Sequence, residues 1–67
     1  MKPWQIGDRV TYRYRRNGVE HYVHGTVTAL DLPGLPPGVQ VTFDAPDRGV
    51  TTCYATRREL VSGPPKP

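Results

Sequence analysis

The sequence has little of what small proteins commonly use to reinforce a thin hydrophobic core. Its 67 residues include one cysteine, Cys53, so an internal disulfide is excluded. No stretch approaches the ~20 apolar residues of a membrane-spanning helix, and no apolar run follows the first residues. We therefore expect a reduced, cytoplasmic protein without a signal peptide or a membrane anchor.

Acidic residues are also fewer than basic ones. Nine Lys and Arg stand against six Asp and Glu, which gives a net charge of +3. Seven of the nine bases are arginines, whose planar guanidinium suits phosphate, carboxylate and aromatic faces. The bias favours an anionic partner, although the high arginine content of a GC-rich genome explains it equally well.

The length and pattern of the chain predict one domain over residues 1–61. A domain of this size buries only roughly 60% of the surface that its unfolded chain exposes. Residues 62–67 are Pro-rich and predict a disordered tail.

The first strand is followed by the strongest turn signal in the chain. Asn17-Gly18 tolerates positive φ at both positions and predicts a two-residue type I′ hairpin. This turn pairs Arg16 with Val19, and each pair further from the turn follows from that register.

The register gives the hairpin two chemically distinct faces. The inward face is expected to carry Val10, Tyr12, Tyr14, His21, Val23, Gly25 and Val27. The outward face is expected to carry Arg9, Thr11, Arg13, Arg15, Glu20, Tyr22, His24 and Thr26. Gly25 has no side chain to pack against Val10, so we expect a bulge or bend there.

Three further strands are expected after the hairpin. A Pro- and Gly-rich loop over 31–38 precedes a strand over 39–44, and a five-residue turn over 45–49 leads to a strand over 50–55. Either alternate set of residues in the strand over 50–55 can face the core. Thr56-Arg57-Arg58-Glu59 has the form of a capping box and predicts one helical or 3₁₀ turn before a last strand over 60–61.

These elements predict an all-β fold, namely a small five-stranded antiparallel barrel with a short 3₁₀ turn before the last strand. Several segments resemble SH3-like barrels of the Tudor and KOW type: Gly7–Val10, Gly18, Gly25–Val27, Val41–Asp44 and Glu59–Leu60. The resemblance implies an SH3-like barrel that binds RNA or another protein.

A weaker resemblance concerns the plasmid-encoded type II dihydrofolate reductases, which are SH3-like barrels that also carry a Gly-Asp-Arg-Val strand. Their key element is a late Val-Gln-Ile-Tyr segment. The matching region here, Val50–Tyr54, lacks the glutamine and the isoleucine. The similarity indicates a shared fold, so a reductase-like enzyme is a remote alternative and a non-enzymatic protein is expected.

No group of residues indicates a cofactor, a metal or a catalytic site. His21 and His24 are three apart on a strand and therefore point to opposite faces, so they cannot chelate one ion. Cys53 is the one candidate nucleophile, and nothing in the sequence brings a base to it.

The candidate site is the outward face of the first hairpin, where basic groups lie beside an aromatic ring. The residues expected to bind RNA or DNA are Arg9, Arg13, Arg15, Arg16, Tyr22 and His24. The competing interpretation is a solvated strand face, in which Arg15 pairs with Glu20 and Arg13 lies over the ring of Tyr22.

A second function is a protein-interaction module of a bacterial or phage accessory protein. Tudor-like barrels hold cationic or extended peptides with aromatic residues at one end. The residues that would form such an end are Trp4, Leu32, Leu35 and Tyr54. The sequence leaves the oligomeric state open.

Overall fold

The computed structural model describes residues 3–65, and these residues form one curled antiparallel sheet of five strands. The strands are β1 (Arg9–Arg16), β2 (Val19–Leu30), β3 (Val39–Asp47), β4 (Val50–Ala55) and β5 (Leu60–Ser62), with a 3₁₀ turn, η1 (Arg57–Glu59), before β5. The order across the sheet is β4-β3-β2-β1-β5. The predicted all-β fold with five antiparallel strands is confirmed.

The sheet curls into a compact, barrel-like shape without closing through hydrogen bonds. Its radius of gyration is 11.5 Å, and no ladder joins β4 to β5 within residues 3–65. The same part of the chain contains no helix long and apolar enough to cross a membrane.

The first hairpin has the predicted register along its whole length. Pairing runs from Arg16 with Val19 to Arg9 with Thr26. Asn17 and Gly18 have φ values of 50° and 77°, the positive range that a type I′ turn requires. Local turn chemistry therefore sets the alignment of β1 and β2.

The core is a small aliphatic cluster with one aromatic ring. Its buried members are Val10, Val27, Val39, Val41, Phe43, Ala55 and Leu60. Partly buried residues pack around them: Trp4, Tyr12, Val23, Leu30 and Cys53. All of these lie on the concave side of the sheet or cover its ends.

Pairing with β3 decides which residues of β4 face the core. Ala55 pairs with Val39, and Cys53 pairs with Val41. Paired residues share a face, so Ala55 and Cys53 turn inward with the two valines. Strand periodicity alone does not distinguish between the two faces of β4.

The bulge expected at Gly25 does not form there, so this part of the sequence prediction is wrong. The irregularity in β2 falls between Val27 and Ala29. Gly25 is instead needed because β3 passes very close to it, and a Cβ there would lie 2.5 Å from the carbonyl oxygen of Thr42. A side chain at this position would therefore require β2 and β3 to move apart.

The turn between β3 and β4 is also shorter than predicted. β3 continues to Asp47, and the turn consists of Arg48 and Gly49 alone, with φ values of 51° and 82°. The four residues 43–46 lie opposite only Thr51, so this part of β3 is an irregular bulge of several residues. Pro46 is tolerated there because a bulged residue needs no ladder N–H.

The predicted capping box is confirmed. One carboxylate oxygen of Glu59 accepts hydrogen bonds from the backbone N–H of Thr56 at 3.0 Å and from its hydroxyl at 2.9 Å. The turn directs the chain into β5, in which Leu60 pairs with Tyr12 and Ser62 pairs with Val10.

The C-terminal segment follows β5 along the sheet as far as it is described. The N–H of Gly63 donates to the carbonyl of Arg9 at 3.0 Å. Of the predicted tail, Lys66 and Pro67 lie outside the described residues; so do Met1 and Lys2, at the start of the predicted domain.

Candidate nucleic-acid interface

The outward side of the first hairpin presents an aromatic ring beside two arginines. We use the term hairpin face for Arg13, Arg15, Glu20 and Tyr22, which lie nearer the turn than the part of β1 that pairs with β5. Tyr22 is 58% exposed and pairs directly across from Arg13. An aromatic ring with this exposure can receive a flat ligand, because nothing in the described part of the fold covers it.

The arginines of the hairpin face are free to bind. Among residues 3–65, neither Arg13 nor Arg15 forms an ion pair or a side-chain hydrogen bond. The contacts within that range include neither an Arg15–Glu20 ion pair nor a cation–π contact of Arg13 with Tyr22. The competing interpretation, in which these arginines are paired within the strand face itself, therefore lacks both of its expected contacts.

Arg9 lies on the same face of β1 but has a different environment. Its side chain is only 15% exposed and forms a two-pronged ion pair with Asp44 of β3. It also donates to the hydroxyl of Thr26 at 2.6 Å and to the carbonyl of Pro64 at 3.0 Å. These bonds use four of its five N–H donors, so Arg9 ties β1 to β3 and to the C-terminal segment.

His24 and Arg16 lie outside the hairpin face, for two different reasons. The Nδ1 of His24 is 2.8 Å from the hydroxyl of Thr11, which is buried although it lies on the outward side. Arg16 is exposed next to the turn, and strand alternation puts it on the side of Tyr14. The structure therefore groups Arg13, Arg15 and Tyr22, with Arg9 and His24 further along the same side and Arg16 on the opposite side.

Sequence reasoning missed Arg58, which belongs to this surface. Together with Arg13 and Arg15 it lines a shallow depression of 220 Å³ between β1 and η1. The other lining residues are Tyr14, Glu20 and Glu59. The capping box predicted the turn that carries Arg58, but only the pairing of Leu60 with Tyr12 brings that turn beside β1.

The inward side of the hairpin carries a row of stacked rings. His21 stacks on Tyr14 at 4.9 Å, Tyr14 on Tyr12 at 5.5 Å, and Tyr12 on Phe43 at 6.4 Å between centroids. The predicted contact of His21 with Tyr14 is confirmed. This row continues the core along the hairpin, beyond the last buried aliphatic side chain.

Tyr14 is also held by the turn between β3 and β4. Its hydroxyl donates to Asp47 at 2.6 Å, and this hydrogen bond raises the pKa of the Tyr14 phenol. The guanidinium of Arg48 lies 6.0 Å from the centre of the same ring. The second half of the hairpin is therefore supported from the inside, which leaves its outward side for other contacts.

The four residues predicted for protein interaction do not form one cluster. Trp4 packs against the core and lines an open groove of 780 Å³ with residues that include Arg57, Leu60 and Val61. Tyr54 instead donates to the carbonyl of Pro36 at 2.6 Å. No contact described within residues 3–65 joins Trp4 to Tyr54.

Tyr54 therefore belongs with the loop over 31–38, which also contains the two predicted leucines. Leu32 is half-buried and Leu35 is 50% exposed. Asp31 closes the loop through two hydrogen bonds with Gly38, at 2.9 and 3.1 Å. Asp31 also pairs with Arg57 at 3.2 Å, and Arg57 and the Gly38 N–H lower the pKa of its carboxyl.

The residues considered for catalysis or metal binding are separated in space. His21 stacks inside the hairpin, whereas His24 is exposed on the opposite side. Burial raises the pKa of the Cys53 thiol to about 11, so the thiol is protonated and weakly nucleophilic near neutral pH. The described residues contain no cluster of three potential metal ligands.

Comparison of the chain with models of protein families, with curated protein sequences and with solved structures finds no match.

Proposed function

We propose that this protein is a non-enzymatic module that binds single-stranded RNA or DNA through the hairpin face. The observation that carries the proposal is the position of the exposed Tyr22 ring, directly across from Arg13 and next to Arg15, where neither arginine has an ion-pair partner within residues 3–65. Unpaired arginines attract phosphates, and an open ring accepts a base.

The chemistry explains why single strands are the preferred partner. Stacking of a base on an exposed aromatic ring contributes about 1–3 kcal/mol and requires an unpaired base. Arginine contacts with phosphates depend on salt and read no sequence. The expected binding is therefore weak in sequence preference and strong in salt dependence.

As part of this proposal, the fold also supports a relationship to one class of small β-barrels. The strand order, the two-residue first hairpin and the 3₁₀ turn before the last strand are features expected of SH3-like barrels of the Tudor and KOW type. A superfold of this kind serves many functions, so the argument for binding rests on the hairpin face itself.

Fluorescence anisotropy with labelled 12-nucleotide RNA and DNA strands at 25 and 200 mM salt tests the proposal. Arg13→Gln combined with Arg15→Gln removes two phosphate contacts and is expected to lower the slope of log K against log salt by about 1.4. Arg48→Gln combined with Arg57→Gln removes the same charge elsewhere and is the matched control. Absence of binding by the wild-type chain at 25 mM salt, or an equal loss in the control, would contradict the proposal.

The groove beside Trp4 favours a second candidate, a site for an extended protein segment. It is open, and Val61 on its wall is 39% exposed. A partner bound there would remain bound to the Arg13→Gln, Arg15→Gln double variant in a pull-down experiment. Loss of the partner in that variant would assign it to the hairpin face instead.

A further inference from the structure

The depression between β1 and η1 brings together arginines from two separate elements of the fold. Arg13 and Arg15 reach it from β1, and Arg58 reaches it from the 3₁₀ turn. None of the three side chains has an ion-pair or hydrogen-bonding partner among residues 3–65. These three arginines therefore line one concavity together with the carboxylates of Glu20 and Glu59, with which they form no ion pair in that range.

Arg58 differs from its neighbour Arg57 in the same turn. Arg57 is paired with Asp31, so its charge is used within the protein. Arg58 is exposed and has no such partner within the described range. The turn therefore carries one arginine that stabilises a loop and one that is available to a ligand.

The charges around the depression distinguish between kinds of phosphate. Three arginines and the carboxylates of Glu20 and Glu59 line it, for a sum of +1. One oxygen of Glu59 already accepts two hydrogen bonds from Thr56, so this carboxylate is held in place. A sum of +1 matches the single negative charge of an internal phosphodiester better than the double charge of a terminal phosphate.

The depression is also well placed relative to Tyr22. Glu20 belongs to β2 and pairs with Arg15, so the wall of the depression is continuous with the hairpin face. Tyr22 lies two residues from Glu20 on the same face of β2, roughly 7 Å along the strand. Arg58 lines the depression from η1, at the edge of β1 that faces away from β2.

We infer that the depression holds a phosphodiester of the bound single strand while a nearby base stacks on Tyr22. This inference rests on the proposed function and adds the path of the ligand. The bound nucleic acid crosses the hairpin from β2 over β1 to η1, and it does not follow the row of arginines along β1. Arg58 is then a binding residue, whereas Arg9 is not.

The test compares Arg58→Gln with Arg57→Gln in the full chain, by anisotropy with the same 12-nucleotide strands. The two variants lose the same charge from adjacent positions. Arg58→Gln is expected to weaken binding roughly fivefold to tenfold and to lower the salt slope by about 0.7, whereas Arg57→Gln is expected to bind like the wild-type chain. Thermal unfolding of both variants checks that the fold is retained.

A direct readout is the NMR signal of the arginine side-chain Nε–H groups during titration with the oligonucleotide. The signals of Arg13, Arg15 and Arg58 are expected to shift, and that of Arg57 is expected to stay in place. Oligonucleotide binding that Arg58→Gln and Arg57→Gln affect equally would overturn the inference and leave the proposed function intact.

Two other outcomes affect the proposed function as well. Failure of the wild-type chain to bind any oligonucleotide at 25 mM salt would contradict both the inference and the proposed function. A hexaglutamate peptide that binds in an Arg58-dependent manner, when the oligonucleotides do not, would assign the depression to an acidic protein partner and overturn both.

Discussion

The two halves of β1 have the same alternating pattern but opposite roles. Residues 9–12 are paired on both sides, with β2 and with β5 or the segment after it. Residues 13–16 are paired with β2 alone among the strands of residues 3–65. In the first half Val10 is fully buried and Arg9 is bound to Asp44, whereas in the second half Arg13 and Arg15 are exposed.

The difference shows that partners on more distant strands and segments decide whether an arginine on this face is held within the protein or exposed. Arg9 and Arg13 are both arginines and lie on the same side of β1. Arg9 meets a carboxylate of β3 and a carbonyl after β5, and Arg13 meets solvent. An arginine in a β-sheet is thus available to a ligand only where the fold leaves its donors unused.

The largest effect is expected at Gly25, which pairs with Val10 in the first half. In Gly25→Ala, the added Cβ would collide with the backbone oxygen of Thr42, which cannot turn away as a side chain can. We expect a loss of about 3 kcal/mol, which is a large part of the stability of a domain this small. Urea unfolding measures it, with Glu20→Ala in the same strand as control. A variant as stable as the control would show that β3 does not approach β2 this closely in solution.

A smaller effect is expected from the two arginines compared directly. Arg9→Gln breaks the ion pair with Asp44 and is expected to lower the Tm by roughly 5–10 °C. Arg13→Gln makes the same change at a position that has no ion pair within residues 3–65, and it is expected to leave the Tm within about 2 °C of the wild type. Differential scanning calorimetry of both variants is the measurement. Equal shifts would contradict the division of β1 into two halves.

The smallest effect concerns the tyrosines, one in each half. Burial is the main cause that raises the pKa of Tyr12, whereas the hydrogen bond to Asp47 is the main cause for Tyr14. Asp47→Asn is therefore expected to lower the pKa of Tyr14 and to leave that of Tyr12 nearly unchanged. A ¹³C NMR pH titration of both phenol rings measures the two values.

The raised pKa of Tyr14 also determines how its contribution to the stability of the fold changes with pH. The folded state holds the Tyr14 proton more tightly than the unfolded chain does. The resulting contribution of Tyr14 to stability is fully present below its unfolded pKa of about 10, and it is lost as the pH rises through its folded pKa. Asp47→Asn should reduce this alkaline loss. An unchanged Tyr14 titration in the variant would mean that the hydrogen bond to Asp47 is absent in solution.

The parts of the fold that were predicted correctly depend on residues close together in the chain. The type I′ turn requires positive φ at two positions, which Asn17 and Gly18 tolerate, and this turn alone fixes the pairing of β1 with β2. Thr56 and Glu59 form their capping box within one turn. The errors at Gly25 and over 45–49 both involve β3, whose path depends on contacts with distant strands.

The candidate site was predicted in part, for the same reason. The register that the Asn17-Gly18 turn imposes is enough to put Arg13, Arg15 and Tyr22 on one side of the sheet. The same register also groups Arg9 with them, because periodicity does not reveal that Asp44 lies opposite. Arg58 was missed because it is more than 40 residues away from β1 in sequence and reaches it only through β5.

By itself, the sequence determined the strand pattern, the hairpin register and the 3₁₀ turn, since each depends on the backbone preferences of neighbouring residues. Only the tertiary structure decided which face of β4 is buried, why residue 25 is glycine, and which arginines remain unpaired. These outcomes depend on how distant strands approach one another as the sheet curls, and local preferences do not encode that approach.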